Sequence, residues 1–184
     1  MRIINAFFCF CMVMLAAALT CHAQSGWQWG AHSTDSIYLV MHMLQSTNDK
    51  NGNIFTSGYV CSMGYSTFGS FSVYNPSHYR SKLVITKTDS FGHFIWVKDF
   101  LADSSFGQFS TTMATDTAGN IYVFGSYADS LFLGAPYNLS NSTPATLMLF
   151  LIRMSPSGSL ICAKNVGIGQ KSQFNNNMGF AIRS

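Results

Sequence analysis

Two stretches of the sequence, DKNGNIFTSGYV (Asp49–Val60) and DTAGNIYVFGSY (Asp116–Tyr127), begin 67 residues apart and follow one pattern. Each reads Asp-x-x-Gly-Asn-Ile-aromatic-x-x-Gly, with the Asp and both glycines in the same register. A second pair aligns without gaps at an offset of 66 residues: LVITKTDSFGHFIWVKD (Leu83–Asp99) and LFLIRMSPSGSLICAKN (Leu149–Asn165). Two matches at nearly the same period indicate an internal repeat, which governs the interpretation of the rest of the chain.

The repeat divides the chain into a partial unit, two full units and the start of a third. Trp29 precedes Asp49 by 20 residues and Trp96 precedes Asp116 by the same 20, so WQWGA (Trp27–Ala31) is interpreted as the closing strand of the partial unit. The predicted boundaries are residues 24–34 for that closing strand, 35–100 and 101–166 for the full units, and 167–184 for the third.

Each full unit is predicted to form a four-stranded antiparallel sheet, because β-rich runs alternate with turn residues. In the first unit, a long polar excursion through Tyr74, Asn75 and Pro76 separates the second strand from the third. The predicted strands of this unit are Ser36–Leu44, Asn53–Val60, Lys82–Thr88 and His93–Phe100.

The Asp-x-x-Gly spacing predicts tight turns, in which the Asp side chain accepts backbone N–H groups and the Gly takes a positive φ. The last turn of the second unit has Ser155 and Pro156 instead of Asp89 and Ser90, which is also acceptable turn chemistry. The residues assigned to the turn motif are Asp49, Gly52, Asn53, Gly58, Gly92, Asp116, Gly119, Asn120, Gly125 and Gly158.

The run LMLFLI (Leu147–Ile152) is continuously apolar, whereas a strand with one wet face alternates apolar and polar residues. A run of this kind indicates burial on both faces, and radially stacked four-stranded sheets bury both faces of each sheet. A buried helix would also explain six apolar residues, but the β-rich surroundings and the nearby turns disfavour it. The predicted fold is therefore all-β and β-propeller-like, with repeated four-stranded antiparallel blades and an incomplete ring.

The composition agrees with strands and turns. Apolar residues make up 48% of the 184 residues and charged residues only 9%, and all seven acids are aspartates. Asp favours turns where Glu favours helices. The net charge of +3 includes Arg2 and is spread without clusters, so nothing indicates binding to nucleic acid or to an acidic membrane.

The N-terminus has the pattern of a signal peptide: a basic Arg2, an apolar stretch and a small residue at Ala23. Residues 1–23 are therefore predicted to be removed, so that the exported chain begins at Gln24 and is secreted or held at the outer cell surface without a transmembrane segment. A retained anchor helix and lipidation at Cys21 are the alternatives. Cys61 and Cys162 would remain, and we interpret them as two separate small core residues, because the repeat gives them unlike positions.

The repeated motif resembles the SBBP-type β-propeller repeat. The resemblance rests on D-x-x-G-N-I-Y/F-x-x-G, a distal Phe68-Gly69 or Leu133-Gly134, and K/R-x-x-x-x-G-x-x-I-W, and it extends over Trp27–Ser184. The second unit departs from the pattern where Cys162 stands in place of the tryptophan. The family occurs largely in secreted bacterial proteins, often of Bacteroidota with type IX sorting domains. The resemblance thus implies a fold and a location but no catalytic residues.

No catalytic, cofactor or metal site emerges from the sequence. Asp49, Asn51 and Asn53 resemble the opening of a calcium loop, but Ala118 replaces Asn51 in the second copy and the chain has no Glu for the closing ligand. The histidines have no metal-ligand spacing. Asp35, Asp99, Asp103 and Asp129 are the acids that an alternative function, a propeller-type glycoside hydrolase or lyase, would need to bring together.

The aromatic residues of the first unit have two interpretations: a recognition surface for a glycan or protein, or filling between sheets, which we favour. They are Tyr59, Tyr65, Phe68, Phe71, Tyr74 and Tyr79. The expected function is that of a non-catalytic extracellular scaffold or adhesion-like binding module with an unknown protein or glycan partner. Because NNNMGFAIRS, at residues 175–184, resembles the strand FSTTMAT before Asp116, we expect further repeats to follow, and we expect this segment alone to be poorly soluble or oligomeric.

Overall fold

The computed structural model describes residues 34–35, 41–61, 63–103, 111–143 and 146–169. Within these ranges the protein is all-β, with antiparallel sheets and no helix, as the sequence predicts. The described residues contain no helix that is long and apolar enough to cross a membrane. The predicted signal peptide and the predicted start of a third unit lie outside the described residues.

The first repeat contains four long strands, a short hairpin and a two-residue strand before them. The strands are β1 (Thr34–Asp35), β2 (Met41–Asn48), β3 (Ile54–Val60), β4 (Gly64–Phe68), β5 (Phe71–Asn75), β6 (Ser81–Thr88) and β7 (Phe94–Ala102). The prediction that the first long strand ends at Leu44 is wrong, because β2 continues to Asn48 and pairs with Ile54 at the turn. Ser46, Thr47 and Asn48 carry no apolar signal, but their backbones complete the hairpin.

The second repeat has the same succession of strands. They are β8 (Thr111–Thr115), β9 (Ile121–Tyr127), β10 (Ser130–Phe132), β11 (Leu139–Ser140), β12 (Leu147–Met154) and β13 (Leu160–Gly169). Strands β8, β9, β12 and β13 form a four-stranded sheet in that order, the second sheet. Strands β2, β3, β6 and β7 are neighbours in the corresponding order in the first sheet.

The two sheets share register as well as order. Ile54 pairs with Thr88 in the first sheet, and Ile121 pairs with Met154 in the second. Both sheets have an irregularity at the start of the last strand, where Trp96 and then Phe94 are the successive partners on β7, and Cys162 and then Leu160 are the partners on β13. The same local defect at the same place indicates that the repeat is structural and not only a pattern of residue types.

A hairpin is inserted between the second and third long strands of each repeat. In the first repeat it is β4–β5, where the sequence suggests only a polar excursion. In the second repeat it is β10–β11, but β10 hydrogen-bonds to the end of β7 and so extends the first sheet to six strands. The hairpin of the second repeat therefore completes the edge of the sheet before it.

The core lies on both faces of the first sheet. One face packs on the second sheet, and this cluster includes Phe55, Leu83, Ile85 and Trp96 from the first sheet with Ile121, Val123, Phe150, Ile152 and Met154 from the second. On the opposite face, Val60 and Val84 pack against Phe68 and Val73 of the β4–β5 hairpin. Fully burying an aliphatic or aromatic side chain contributes about 1.5–3 kcal/mol, so these two clusters carry most of the stability.

Polar contacts join the inner edges of the two sheets. The hydroxyls of Ser57 and Thr111 lie 2.8 Å apart at a buried position, and the Thr115 hydroxyl donates to the backbone carbonyl of Asn48 at 2.8 Å. Strand β8 therefore lies beside β2, and the two repeats meet along their first strands as well as through their faces.

Candidate functional site

The aspartates of the predicted turn motif organise tight turns. Asp49 Oδ1 accepts the backbone N–H groups of Asn51 at 2.9 Å and Asn53 at 3.0 Å, and Oδ2 accepts the Asn53 side-chain amide at 2.8 Å. Asp116 makes the corresponding contacts with Asn120, both at 2.8 Å. The Asp-x-x-Gly-Asn pattern is thus a closed hydrogen-bonded turn, and the Asn serves as both a backbone and a side-chain donor.

The turn glycines occupy the left-handed region. Gly52 has a φ of +77° and Gly119 a φ of +80°, at equivalent β2–β3 and β8–β9 turns. Gly92 and Gly158 do the same in the later turns, with φ values of +86° and +81°. The remaining glycines of the motif, Gly58 and Gly125, lie within β3 and β9, where they pair with Val84 and Phe150.

Hydrogen bonding lowers the pKa of three aspartates. For Asp116 the side-chain amide of Asn120 is the largest cause, and for Asp89 it is the backbone N–H of His93. Burial alone would raise the pKa of Asp49, but the hydrogen bonds from Asn53 and Asn51 together outweigh it. A carboxyl held ionised by its own turn is a poor proton donor, so these residues serve the fold.

The other described aspartate side chains are also engaged in the fold or lie apart from each other in the contacts they make. Asp99 forms an ion pair with Lys82, and Asp103 pairs with Arg80 at 3.0 Å. Asp129 contributes its backbone carbonyl, which accepts the N–H of Asn141 at 2.8 Å. Asp35 lies in β1, paired with Ser66 through the backbone. No contact brings two of these carboxylates together, as the hydrolase alternative would require.

Histidine and cysteine chemistry is equally limited in the described ranges. Among those residues, no three His, Cys, Asp or Glu side chains are close enough together to hold a metal ion. Cys61 follows β3 and Cys162 lies in β13, and no disulfide joins them, in line with the interpretation as separate thiols. Burial raises the pKa of the Cys61 thiol, which disfavours a nucleophilic role for it.

The aromatic residues of the first repeat fall into two groups. Phe68 is only 1% exposed and packs edge-to-face on Phe94, with ring centroids 5.8 Å apart. Tyr65, Tyr74 and Tyr79 are 60%, 45% and 76% exposed. The expectation that this group fills the core is therefore right for Phe68 and wrong for the three tyrosines.

Alternation along the hairpin explains the division. Side chains of a strand point to opposite faces in turn, so Ser66 and Phe68 of β4 and Val73 of β5 face the first sheet. Tyr65 and Tyr74 are cross-strand partners on the other face. The period of two in GYSTF and FSVYN was the available signal, and it was obscured by the assumption that the segment is a loop.

Tyr65 and Tyr74 form a stacked pair, which we call the tyrosine pair. Their ring centroids lie 4.7 Å apart with an interplanar angle of 38°. The pair is held from below, because the opposite face of the same hairpin is buried against the first sheet. Two phenol rings are thus presented to solvent on a rigid backbone, which reduces the entropy lost when a ligand binds.

Further groups surround the tyrosine pair along the chain. The backbone N–H of Met63, which is also exposed, lies 3.5 Å from His78 Nδ1. The segment after β5 is tied down by the Asn75 side-chain amide, which donates to the Arg80 carbonyl at 2.8 Å, and by the Ser77 hydroxyl, which accepts the Tyr79 N–H at 3.0 Å. We call the exposed residues Met63, Tyr65, Tyr74 and Tyr79 the hairpin patch.

The hairpin patch can recognise but has no group that can catalyse. It offers aromatic faces, a thioether and phenol hydroxyls, with the nearby Arg80 charge already paired to Asp103. Such a surface stacks on apolar faces of a ligand and hydrogen-bonds at the ring edges. No protein-family profile, curated protein or solved structure matches this chain.

Proposed function

We propose that this chain is an exported, non-catalytic repeat protein of the β-propeller type that binds a glycan through the hairpin patch. The observation that carries the proposal is the tyrosine pair, two stacked aromatic rings exposed on a hairpin whose other face is buried. Two ordered aromatic side chains at the surface have no role in the core. They are therefore available for recognition.

The β-propeller type is supported by the way in which the two repeats pack. Equivalent sheets lie face to face, and the packing faces are not the same face of the repeat: Leu83 and Ile85 of one meet Ile121 and Ile152 of the other. Head-to-tail packing of this kind can continue from repeat to repeat, as it does around a propeller. The SBBP-type motif in the sequence points in the same direction.

A glycan is the ligand class that the chemistry of the patch favours. Sugar rings present C–H groups on one face and hydroxyls at the rim, which suits stacked tyrosines whose hydroxyls reach outward. The patch carries no unpaired charge among its members, so an anionic or cationic partner has nothing to recognise. Its four residues also fall short of the roughly 20–30 residues that a partner protein would cover.

Binding to immobilised neutral polysaccharides tests this function. We expect Tyr65→Ala and Tyr74→Ala to weaken binding about tenfold each, which corresponds to about 1.4 kcal/mol of stacking, while Tyr65→Phe retains most of it. Phe91→Ala provides the matched control, because Phe91 is an equally exposed aromatic on the β6–β7 turn, away from the hairpin. Equal losses for Phe91→Ala and Tyr65→Ala, or binding to none of the polysaccharides, would overturn the glycan assignment.

The extracellular location has its own test. A chain expressed in a bacterial host with its N-terminal segment intact should appear outside the cytoplasm and begin at Gln24. A product that retains Met1, or one that carries a lipid on Cys21, would contradict secretion through a cleaved signal peptide.

A further inference from the structure

The second sheet repeats, on its outer face, the groups by which the first sheet binds its neighbour. In the first sheet, Leu83, Ile85 and Trp96 are buried because the second sheet covers them. One repeat later the same positions are Leu149, Leu151 and Cys162, and these side chains are only half-buried. The second sheet therefore presents an apolar face equivalent to one that is covered in the first.

The contact between the first two repeats includes a specific hydrogen-bonded lock. The backbone carbonyl of Pro156, in the turn of the second repeat, accepts from Trp96 Nε1 at 3.2 Å and from Lys87 Nζ at 3.3 Å. Lys87 also lies over the ring of Phe55, 5.2 Å from its centroid. A cation on an aromatic ring is thus positioned to hold the turn of the following repeat.

The second repeat contains the same lock without its carbonyl. Arg153 takes the place of Lys87 and lies over Tyr122, the counterpart of Phe55, with 5.4 Å from its guanidinium carbon to the ring centroid. One guanidinium nitrogen approaches Asp116 at 3.9 Å. The Nε of Arg153 is buried, and within the described residues nothing accepts a hydrogen bond from it. A buried donor without an acceptor is costly, so its presence indicates that an acceptor belongs there.

The edge of the second sheet is also prepared for a partner. In the first sheet, Leu101 and Ala102 at the end of β7 pair with Phe132 and Leu131 of the next repeat's hairpin. Strand β1 pairs with β4 in the same antiparallel manner, so this edge contact occurs twice. The corresponding end of β13 is at Ile168 and Gly169, on an edge that no described strand covers.

The geometry points to a further copy of this repeat, following in the same chain, as the occupant of the outer face of the second sheet. Its last turn would present a backbone carbonyl to Arg153 Nε, as Pro156 presents one to Lys87. Its Ile- and Val-bearing face would cover Leu149 and Leu151, and its hairpin would pair with Ile168 and Gly169.

The sequence after β13 supports a source in the same chain. Strand β7 leads through residues 103–110 into β8, the first strand of the next sheet. After β13 the residues 178–184, MGFAIRS, follow the pattern of FSTTMAT at residues 109–115. The chain thus offers a first strand for the next copy at the expected distance. This inference does not depend on what the hairpin patch binds.

Extending the chain provides the test. A second copy of residues 116–169 is joined after Ser184, so that the turn Asp follows the last residue directly, and Arg153→Met and Arg153→Lys are made in the original and extended chains. We expect the extended chain to have a higher Tm. Arg153→Met should lower the Tm of the extended chain by about 5 °C and that of the original by much less, with Arg153→Lys close to wild type.

Hydrogen exchange supplies a second readout that does not depend on Tm. The amides of residues 167–169 should exchange more slowly in the extended chain, because the added hairpin covers that edge. Equal effects of Arg153→Met on both chains, or unchanged exchange at residues 167–169, would overturn the proposal. Concentration-dependent dimerisation of the original chain that Arg153→Met abolishes would instead assign the face to a second copy of the chain.

Discussion

The indole Nε1 of Trp96 donates a hydrogen bond to the backbone carbonyl of Pro156, 3.2 Å away and 60 residues later in the chain. The donor belongs to the last strand of the first repeat, and the acceptor to the last turn of the second. One side chain therefore fixes both the distance between the sheets and their register, because a shift by one residue would remove the acceptor. The second repeat has Cys162 at the equivalent position, so this part of the lock is not copied.

Replacing Trp96 should separate the hydrogen bond from the packing. We expect Trp96→Phe to lower the free energy of unfolding by about 1–2 kcal/mol, because the ring remains but the N–H is lost. Trp96→Cys reproduces the residue of the second repeat and should cost about 3–5 kcal/mol, because a large buried side chain is removed. Urea denaturation measures both, and equal losses would show that the hydrogen bond contributes nothing.

The turn that carries Pro156 has no room for a side chain at Gly158. A Cβ at this position would lie 3.0 Å from Lys98 Cε and 3.2 Å from the Trp96 ring, and the φ of +81° is unfavourable for any other residue. We expect Gly158→Ala to lower the free energy of unfolding by about 2–4 kcal/mol, from backbone strain and the clash together.

Gly52→Ala is the matched control for that substitution. Its φ of +77° imposes similar backbone strain, but the nearest atom to the added Cβ is Ser90 Cβ at an ordinary 3.5 Å. The cost there should be about 1–2 kcal/mol, from the backbone alone. If thermal denaturation gives the same loss for both variants, the interface turn is less tightly fitted than the structure indicates.

Stability should fall in acid as the turn aspartates are protonated. The pKa of Asp49, Asp89 and Asp116 is below the ordinary value of about 3.9 in the folded state. A lowered pKa contributes stability that is complete above the unfolded value, and this contribution is lost as the pH falls through the folded value. We therefore expect the free energy of unfolding to be flat above about pH 5 and to decline below pH 4.

Asp49→Asn tests the assignment of this acid transition. The variant should be about 1 kcal/mol less stable than wild type at pH 7, with the difference disappearing below about pH 3. Asp129→Asn is the control, because Asp129 contributes to the structure through its backbone carbonyl. A pH-independent difference for Asp49→Asn would mean that shape, and not charge, is what the turn requires.

The two faces of the β4–β5 hairpin should respond differently to truncation. Phe68→Ala removes a ring that is buried against the first sheet, and we expect it to cost about 3–5 kcal/mol. Tyr65→Ala removes an exposed ring and should change the free energy of unfolding by less than about 1 kcal/mol. A large destabilisation by Tyr65→Ala would show that the tyrosine pair serves the hairpin and not a ligand.

The sequence predicts the long strands well because each is bounded by a turn with its own chemistry. The predicted Lys82–Thr88 and the observed Ser81–Thr88 differ by one residue, and Asn53–Val60 differs from Ile54–Val60 likewise. An Asp that accepts backbone N–H groups and a Gly with positive φ determine these boundaries locally, so no knowledge of the tertiary contacts is needed.

The short strands and the candidate site were beyond the same reasoning. Strand β10 has three residues and pairs with a strand of the preceding repeat, so its partner follows from the packing of whole sheets and not from its own sequence. The exposure of Tyr65 and Tyr74 depends on which face of a hairpin meets the first sheet. Composition suggested burial for them, because aromatic residues in β proteins mostly are buried.

The pairing of β10 with β7 bears on how such a gene can change in length. Since the hairpin of one repeat completes the sheet of the repeat before it, a cut at the sequence boundary leaves both pieces with an uncovered edge. Recombination that adds or removes one whole period of 66–67 residues, at any point in the period, joins equivalent positions and restores every such contact. Copy number can therefore vary without any new interface having to evolve, whereas insertions of other lengths would be eliminated.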